Sequence, residues 1–140
     1  PDADEEWARL EPVLREVVTW GLPVSLDSSQ PAVIRAALDL GVDIVNDVRA
    51  LQRPGALEAV AAHPTAGACL MHMRGEPGTM QDEPQYDDVL GSVRDFLRAR
   101  LDAARAAGIA DGRIVLDPGI GFGKTPAHNL ALLRRQPELL

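Results

Sequence analysis

The sequence predicts an α/β protein with a parallel sheet, built either as part of a (β/α)8 barrel or as a small open sheet. Two observations carry this. Short, mostly apolar runs alternate along the chain with longer amphipathic ones, and crossovers of that kind return the chain in the same direction and cover the sheet. The short runs also end, at their C-terminal side, in Asp27, Asn46-Asp47, Met71-His72 and Asp117.

Over residues 4–19 the apolar residues Trp7, Leu10, Leu14, Val17 and Val18 recur at steps of three and four, with acidic residues in the first turn. This spacing predicts an amphipathic helix, with Pro12 as its weak point. The segment Leu22-Pro23-Val24-Ser25-Leu26 reads as a strand ending in Asp27. Pro31 then opens a second helix, which Gly41 ends, since proline suits the first helical position and glycine the residue past the last. Val42-Asp43-Ile44-Val45 is the next strand, residues 54–62 a short helix, and residues 66–71 a small-residue strand.

Residues 73–85 carry Gly75, Pro77, Gly78 and Pro84 and predict a loop, of a length that is usually functional or disordered. The longest helix follows over residues 86–107, where Val89, Leu90, Val93, Phe96, Leu97, Leu101 and Ala104 trace one face. Asp95/Arg98 and Asp102/Arg105 stand at exposed spacings of three on it. Arg113-Ile114-Val115-Leu116 is a fourth strand, ending at Asp117 before a glycine-rich loop and a final helix from near Pro126. No linker or composition shift divides residues 1–140, which read as one domain.

Composition narrows the function. The 140 residues hold 14 Lys plus Arg against 21 Asp plus Glu, a formal charge of −7, and the sole lysine is Lys124. Nucleic-acid binders concentrate basic residues, so a nucleic-acid partner is not expected. One cysteine, Cys69, rules out a disulfide framework and reads as a small core residue. No apolar run approaches the roughly 18 residues that span a bilayer, and the acidic start is unlike a signal peptide. A soluble protein of the cytoplasm, with no membrane partner, is the expectation, and the missing initial Met leaves room for a longer chain.

In a parallel barrel the strand ends gather at one mouth, where active sites sit. Asp and Asn also follow strands simply as turn formers, but four such ends in succession at the same topological point favour a site. Two carboxylates and an amide among apolar walls suit a neutral heterocycle rich in N–H donors. The loop Asp117-Pro118-Gly119-Ile120-Gly121-Phe122-Gly123-Lys124 is not a nucleoside-phosphate loop. A Walker A pattern would need glycine at Pro118, and a dinucleotide fingerprint a small residue at Lys124. Its alternate glycines let backbone approach a ligand and leave Phe122 to present its ring. His63, His72 and His128 show no metal-ligand spacing. His63 and His128 read as surface or helix-end residues, Met71, Met73 and Met80 as gap fillers, and Ser28 has no evident base for a nucleophilic triad.

Several segments are similar in order and spacing to bacterial dihydropteroate synthases. They are Val24-Ser25-Leu26-Asp27-Ser28-Ser29, Ile44-Val45-Asn46-Asp47-Val48, Leu70-Met71-His72-Met73-Arg74-Gly75 with Pro77 and Thr79-Met80-Gln81, Tyr86-Asp87-Asp88-Val89, and the loop 117–124. The resemblance implies a TIM-barrel enzyme of folate biosynthesis. It would join p-aminobenzoate to 6-hydroxymethyl-7,8-dihydropterin pyrophosphate, release pyrophosphate, depend on Mg2+ and act as a homodimer in the cytoplasm. It also implies roles. Asp117 would accept from the pterin 2-amino group and ring N–H, Asn46 would pair with neighbouring ring nitrogens, and Met71 would line the ring. Asp27, the catalytic candidate, would sit by the pterin and favour the cation formed as pyrophosphate leaves, and Phe122 would border the p-aminobenzoate side.

Departures from the family matter too. Ser28 stands where the family usually has Thr. The family's Asn-bearing first strand and its Ser-Arg-Lys and Arg-x-His segments, which carry the Mg2+ and pyrophosphate contacts, have no counterpart in residues 1–140. Lys124 lies in a different loop from the family's pterin lysine and reads as an ion-pair partner. Four of eight βα units are expected, about half of the roughly 250 residues of such a barrel. Two open edge strands would then be left, so the chain is expected to fold poorly alone unless it pairs with another copy or belongs to a longer protein, and by itself to be inactive. The alternatives are a non-catalytic half-barrel and a pterin-dependent methyltransferase-type barrel.

Overall fold

A computed structural model of the chain describes residues 2–75, 80 and 86–139. Helix α1 (Ala3–Val17) is capped by the Asp2 carboxylate, which accepts the Glu5 amide, and runs on into a 3-10 turn over Val18–Trp20. Pro12 lies inside α1 without ending it. Ala8, whose carbonyl would have bonded its missing N–H, is exposed, so water can take that carbonyl.

Strand β1 (Ser25–Asp27) is shorter than predicted. Pro23 has no N–H to give, and the Val24 amide donates to the Asp43 carboxylate at 2.8 Å, so the ladder starts at Ser25. Helix α2 (Pro31–Leu40) opens and closes as predicted, at Pro31 and a left-handed Gly41. Strand β2 (Ile44–Asp47) begins two residues later than expected because the Val42 amide still belongs to the helix end, donating to Ala37 O at 3.1 Å. Gly55, at φ 91°, cannot be helical, so helix α3 (Ala56–Ala62) starts after it. In strand β3 (Gly67–Met71) Ala66 is excluded, its amide held by His63 Nδ1 at 2.9 Å.

Helix α4 (Val89–Ala106) starts at Val89 because Asp88 occupies its N-cap position. Of the charge pairs expected on it, Arg105 reaches Asp102 at 3.4 Å but bonds Asp111 more closely, at 2.7 and 2.8 Å, while Asp95 pairs with its neighbour Arg94. Arg113 forms part of a 3-10 turn and sends its guanidinium to the Ala66 and Val60 carbonyls, ahead of strand β4 (Ile114–Asp117). Helix α5 (Pro126–Arg134) is closed at its start by a reciprocal pair: Thr125 Oγ1 accepts the His128 amide, and His128 Nδ1 accepts the Thr125 amide. The loop expected over 73–85 lies largely outside the described residues, with Pro77, Gly78, Thr79, Gln81 and Pro84.

The strands pair in parallel in the order β1-β2-β3-β4, with no reversal. Right-handed crossovers taken always in the same direction put every helix on one side of the sheet, whereas an open doubly wound sheet needs a reversal of strand order. The arrangement is therefore part of a (β/α)8 barrel, with four of its units. The main core lies between sheet and helices, where Leu26, Val45, Ala68 and Leu70 meet Val33, Ile34 and Ala37 of α2, Val60 of α3 and Ala104 of α4. A smaller cluster joins Val89, Leu90, Val93 and Leu97 of α4 to Leu132 of α5. Among the described residues no helix is long and apolar enough to cross a membrane.

Candidate active site

Strand register decides which polar residues share a face. Asp27 pairs with Asn46, and Asn46 with Cys69, which pairs in turn with Val115; one row further on, Met71 pairs with Asp117. Register partners in a parallel sheet point the same way, and residues two apart on a strand do so too. Because Leu26, Val45 and Ala68 face the helices, Asp27, Asn46, Met71 and Asp117 all belong to the opposite, helix-free face. That face spans up to about 14 Å across four strands and about 7 Å between the two rows, room for a bicyclic ring. Val115, 63% exposed, and Ile44 add apolar surface to it.

The polar groups of this face are largely unspent. Among the described residues the side chains of Asp27 and Asn46 make no hydrogen bond, leaving a carboxylate and an amide to a ligand. Asp117 uses Oδ1 to accept the Gly119 amide at 2.7 Å, which starts the loop in a tight turn and steadies the carboxylate. Cys69, expected in the core, is instead half-buried on this face, where burial and then the Asp117 charge push its thiol up.

Asp47 shows the contrast. It follows Asn46 on β2 and so points to the other side, where it is fully buried. Its carboxylate accepts the Ser29 hydroxyl, the Arg49 amide at 2.8 Å and the Leu51 amide at 2.9 Å. Ser28 likewise gives its hydroxyl to Glu6 and accepts the Gln30 amide at 3.1 Å, which leaves it a scaffold residue. His63 and His128 are helix-end residues, as expected.

Two residues stand out that sequence reading placed differently or passed over. Lys124 was expected in an ion pair. It is instead 3% exposed, and its ammonium donates to three backbone carbonyls: Gly119 at 2.8 Å, Phe122 at 2.9 Å and His72 at 3.3 Å. Burial brings it down to about 8, against the opposing pull of the Asp117 charge. Tyr86, just before α4, donates its hydroxyl to Gly123 O at 3.1 Å. His72 is 5% exposed, packed 5.0 Å from the Phe96 ring and 6.0 Å from Tyr86. It is held to about 4 by burial first and then by the Lys124 and Arg74 charges, so it is a neutral packing residue at ordinary pH.

A second opening adjoins Asp27: a cavity of about 520 Å³ lined by Glu6, Arg9, Arg49 and Arg53 among others. No group of three or more His, Cys, Asp or Glu among the described residues could hold a metal ion.

A parallel barrel segment whose strand ends offer an acceptor, an amide and a second acceptor on one face has the chemistry to hold a flat heterocycle with N–H donors. The chain belongs to the pterin binding enzyme family, which matches it over residues 1–140. Its relatives carry a more particular name. The dihydropteroate synthase of Neisseria meningitidis serogroup B is 54% identical over 140 residues, covering 98% of this chain and 49% of the relative. The crystal structure of dihydropteroate synthase from Stenotrophomonas maltophilia, with imidazole bound in its active site, superposes with a TM-score of 0.95 at 44% identity, over 100% of this chain and 53% of that one. That of Burkholderia cenocepacia, complexed with 7,8-dihydropteroate, gives 0.90 at 48% identity, over 99% and 50%. The dihydropteroate synthase resemblance drawn from the motifs thus holds, and the chain spans about half the length of the relatives it matches.

Proposed function

We propose that these residues are the central segment of a dihydropteroate synthase and supply the pterin-holding half of its site. The observation that carries this reading is the shared face, with Asp27 and Asn46 in one register row and Met71 and Asp117 in the next. A dihydropterin ring presents a 2-amino group and a ring N–H side by side. Asp117, acceptor-only when ionised, suits that edge, and Asn46, which both donates and accepts, suits the mixed edge beside it. Met71 offers a polarisable apolar wall to the ring.

In the reaction the bond between the exocyclic methylene and the pyrophosphate oxygen breaks, and the electron pair leaves with pyrophosphate. The electron-rich dihydropterin carries the resulting positive charge, and the aniline nitrogen of p-aminobenzoate then attacks the methylene and sheds a proton. Fixed negative charge near the developing cation lowers this barrier more than a base would. Asp27 is the group we assign to that task, and Phe122 borders the p-aminobenzoate side. Mg2+ dependence, with its ligand residue elsewhere in the protein, a homodimer and a cytoplasmic setting complete the reading.

The test is a coupled assay of the full-length protein with dihydropterin pyrophosphate and p-aminobenzoate. Dihydropteroate and pyrophosphate in equal amounts are expected, and none from the 140-residue chain alone. A full-length protein that binds pterin but methylates a cofactor would point to the methyltransferase type. A protein with neither activity, assembled through the open strand edges of this chain, would point to a non-catalytic half-barrel.

A further inference from the structure

Phe122 and Met71 lie on different segments, and the structure holds those segments together in an unusual way. Three N–H donors are all that an ammonium has, and Lys124 points them at three carbonyls from two places in the chain. Gly119 and Phe122 are in the loop after β4; His72 is the residue after β3. Among the described residues Lys124 forms no ion pair. The charge is therefore spent on backbone geometry.

Independent features press the same two segments together. Gly119 has φ 68°, and a Cβ there would stand 1.9 Å from His72 O; Gly123 has φ 62°, and its Cβ would stand 2.6 Å from Arg74 O. The Tyr86 hydroxyl reaches Gly123 O, and the Arg74 guanidinium lies over the Tyr86 ring, 5.1 Å from its centre. Phe122 stands between these ties, its own carbonyl one of the three on Lys124 and its amide closing a turn onto Gly119 O at 3.0 Å. Small displacements of such a segment would move the ring directly.

We infer that Lys124 is a positioning residue for the p-aminobenzoate side of the site: gathering the carbonyls of His72, Gly119 and Phe122 around one ammonium sets where the Phe122 ring stands relative to Met71 and Asp117. This rests on the role proposed for Phe122, and the ammonium itself touches no substrate. The titratable groups that act on it are Asp117, of opposite charge, and His72.

The experiment compares full-length wild type with Lys124→Met and Tyr86→Phe by steady-state kinetics in both substrates and by amide hydrogen exchange over residues 119–123. For Lys124→Met the KM for p-aminobenzoate is expected to rise about tenfold or more, with kcat and the KM for the pterin pyrophosphate within about threefold of wild type. The loop amides should exchange about tenfold faster. Tyr86→Phe should shift both readouts the same way by a smaller factor, and it carries the test if Lys124→Met does not fold. An unchanged KM for p-aminobenzoate, or a loss confined to kcat, overturns the inference, because a merely structural lysine would lower the active fraction and spare the KM. If the wild type itself makes no dihydropteroate, the functional reading fails. Hydrogen exchange then decides on the clasp by itself: unchanged loop exchange in the variants overturns it, and faster exchange supports it.

Discussion

The Asp47 carboxylate accepts the Leu51 amide at 2.9 Å across a turn in which both Ala50 (φ 51°) and Leu51 (φ 56°) are left-handed. Two successive non-glycine residues in that region are strained and persist only when the surroundings over-determine them. Here Asp47 holds the turn from within, and Arg100 of α4 holds it from outside, donating to Ala50 O at 2.9 Å and Leu51 O at 3.1 Å. Asp47→Ala in the full-length protein is expected to cost roughly 3 kcal/mol or more, since it strands buried donors and frees a strained turn. Urea denaturation measures this; a cost below about 1 kcal/mol would mean the turn holds itself.

The residue before it should behave in the opposite way. The Asn46 side chain has no internal partner among the described residues, so Asn46→Ala should leave thermal stability nearly unchanged. It should weaken binding of a pterin by about 1 to 3 kcal/mol, the loss of one directed polar contact. Asp117→Ala should weaken it comparably, with some added disorder where the Gly119 amide loses its acceptor. Titration calorimetry on the full-length variants checks both, and wild-type affinity in either removes that residue's role.

Gly119 and Gly112 make a matched comparison. Alanine at Gly119 meets both a left-handed backbone and the His72 carbonyl, and strain of that kind costs of order 1 to 3 kcal/mol. At Gly112 a Cβ meets nothing within 4 Å, so alanine there should fall within about 0.5 kcal/mol of wild type. Melting temperatures of the two variants should separate clearly. Equal values would show that the loop after β4 yields easily.

His72 gives the protein an acid-sensitive point. Its folded-state value of about 4 lies below the ordinary 6.5, so between those values the unfolded chain binds a proton that the folded chain does not. Stability therefore rises with pH across this window and is lost as pH falls from about 6.5 towards 4, by up to about 3 kcal/mol. His72→Gln should flatten that part of the pH–stability curve, which denaturant unfolding at stepped pH would reveal. A curve with the wild-type slope would place the acid sensitivity elsewhere.

Much of this architecture was legible in the chain because its signals are local. Pro31, Gly41 and Pro126 mark helix ends through backbone restrictions that act within a few residues. Boundaries slipped where a distant group took a backbone donor, as Asp43 takes the Val24 amide. Alternation along β2 could have separated Asn46 from Asp47, since neighbours on a strand face opposite sides. The carbonyl cage around Lys124 had no such signal: in one dimension a lone lysine after a glycine loop looks like any ion-pair partner.

The sequence by itself determined the order and kind of the elements, the polar strand ends and the family motifs. All of these depend on periodicity and on residues close together in the chain. Only the tertiary structure decided that Asp27, Asn46, Met71 and Asp117 share one face, that Asp47 supports a turn rather than a ligand, and that Lys124 ties two loops together. Those outcomes depend on register between strands and on where buried charges find partners, and both arise only when segments some twenty to fifty residues apart are brought within hydrogen-bonding distance.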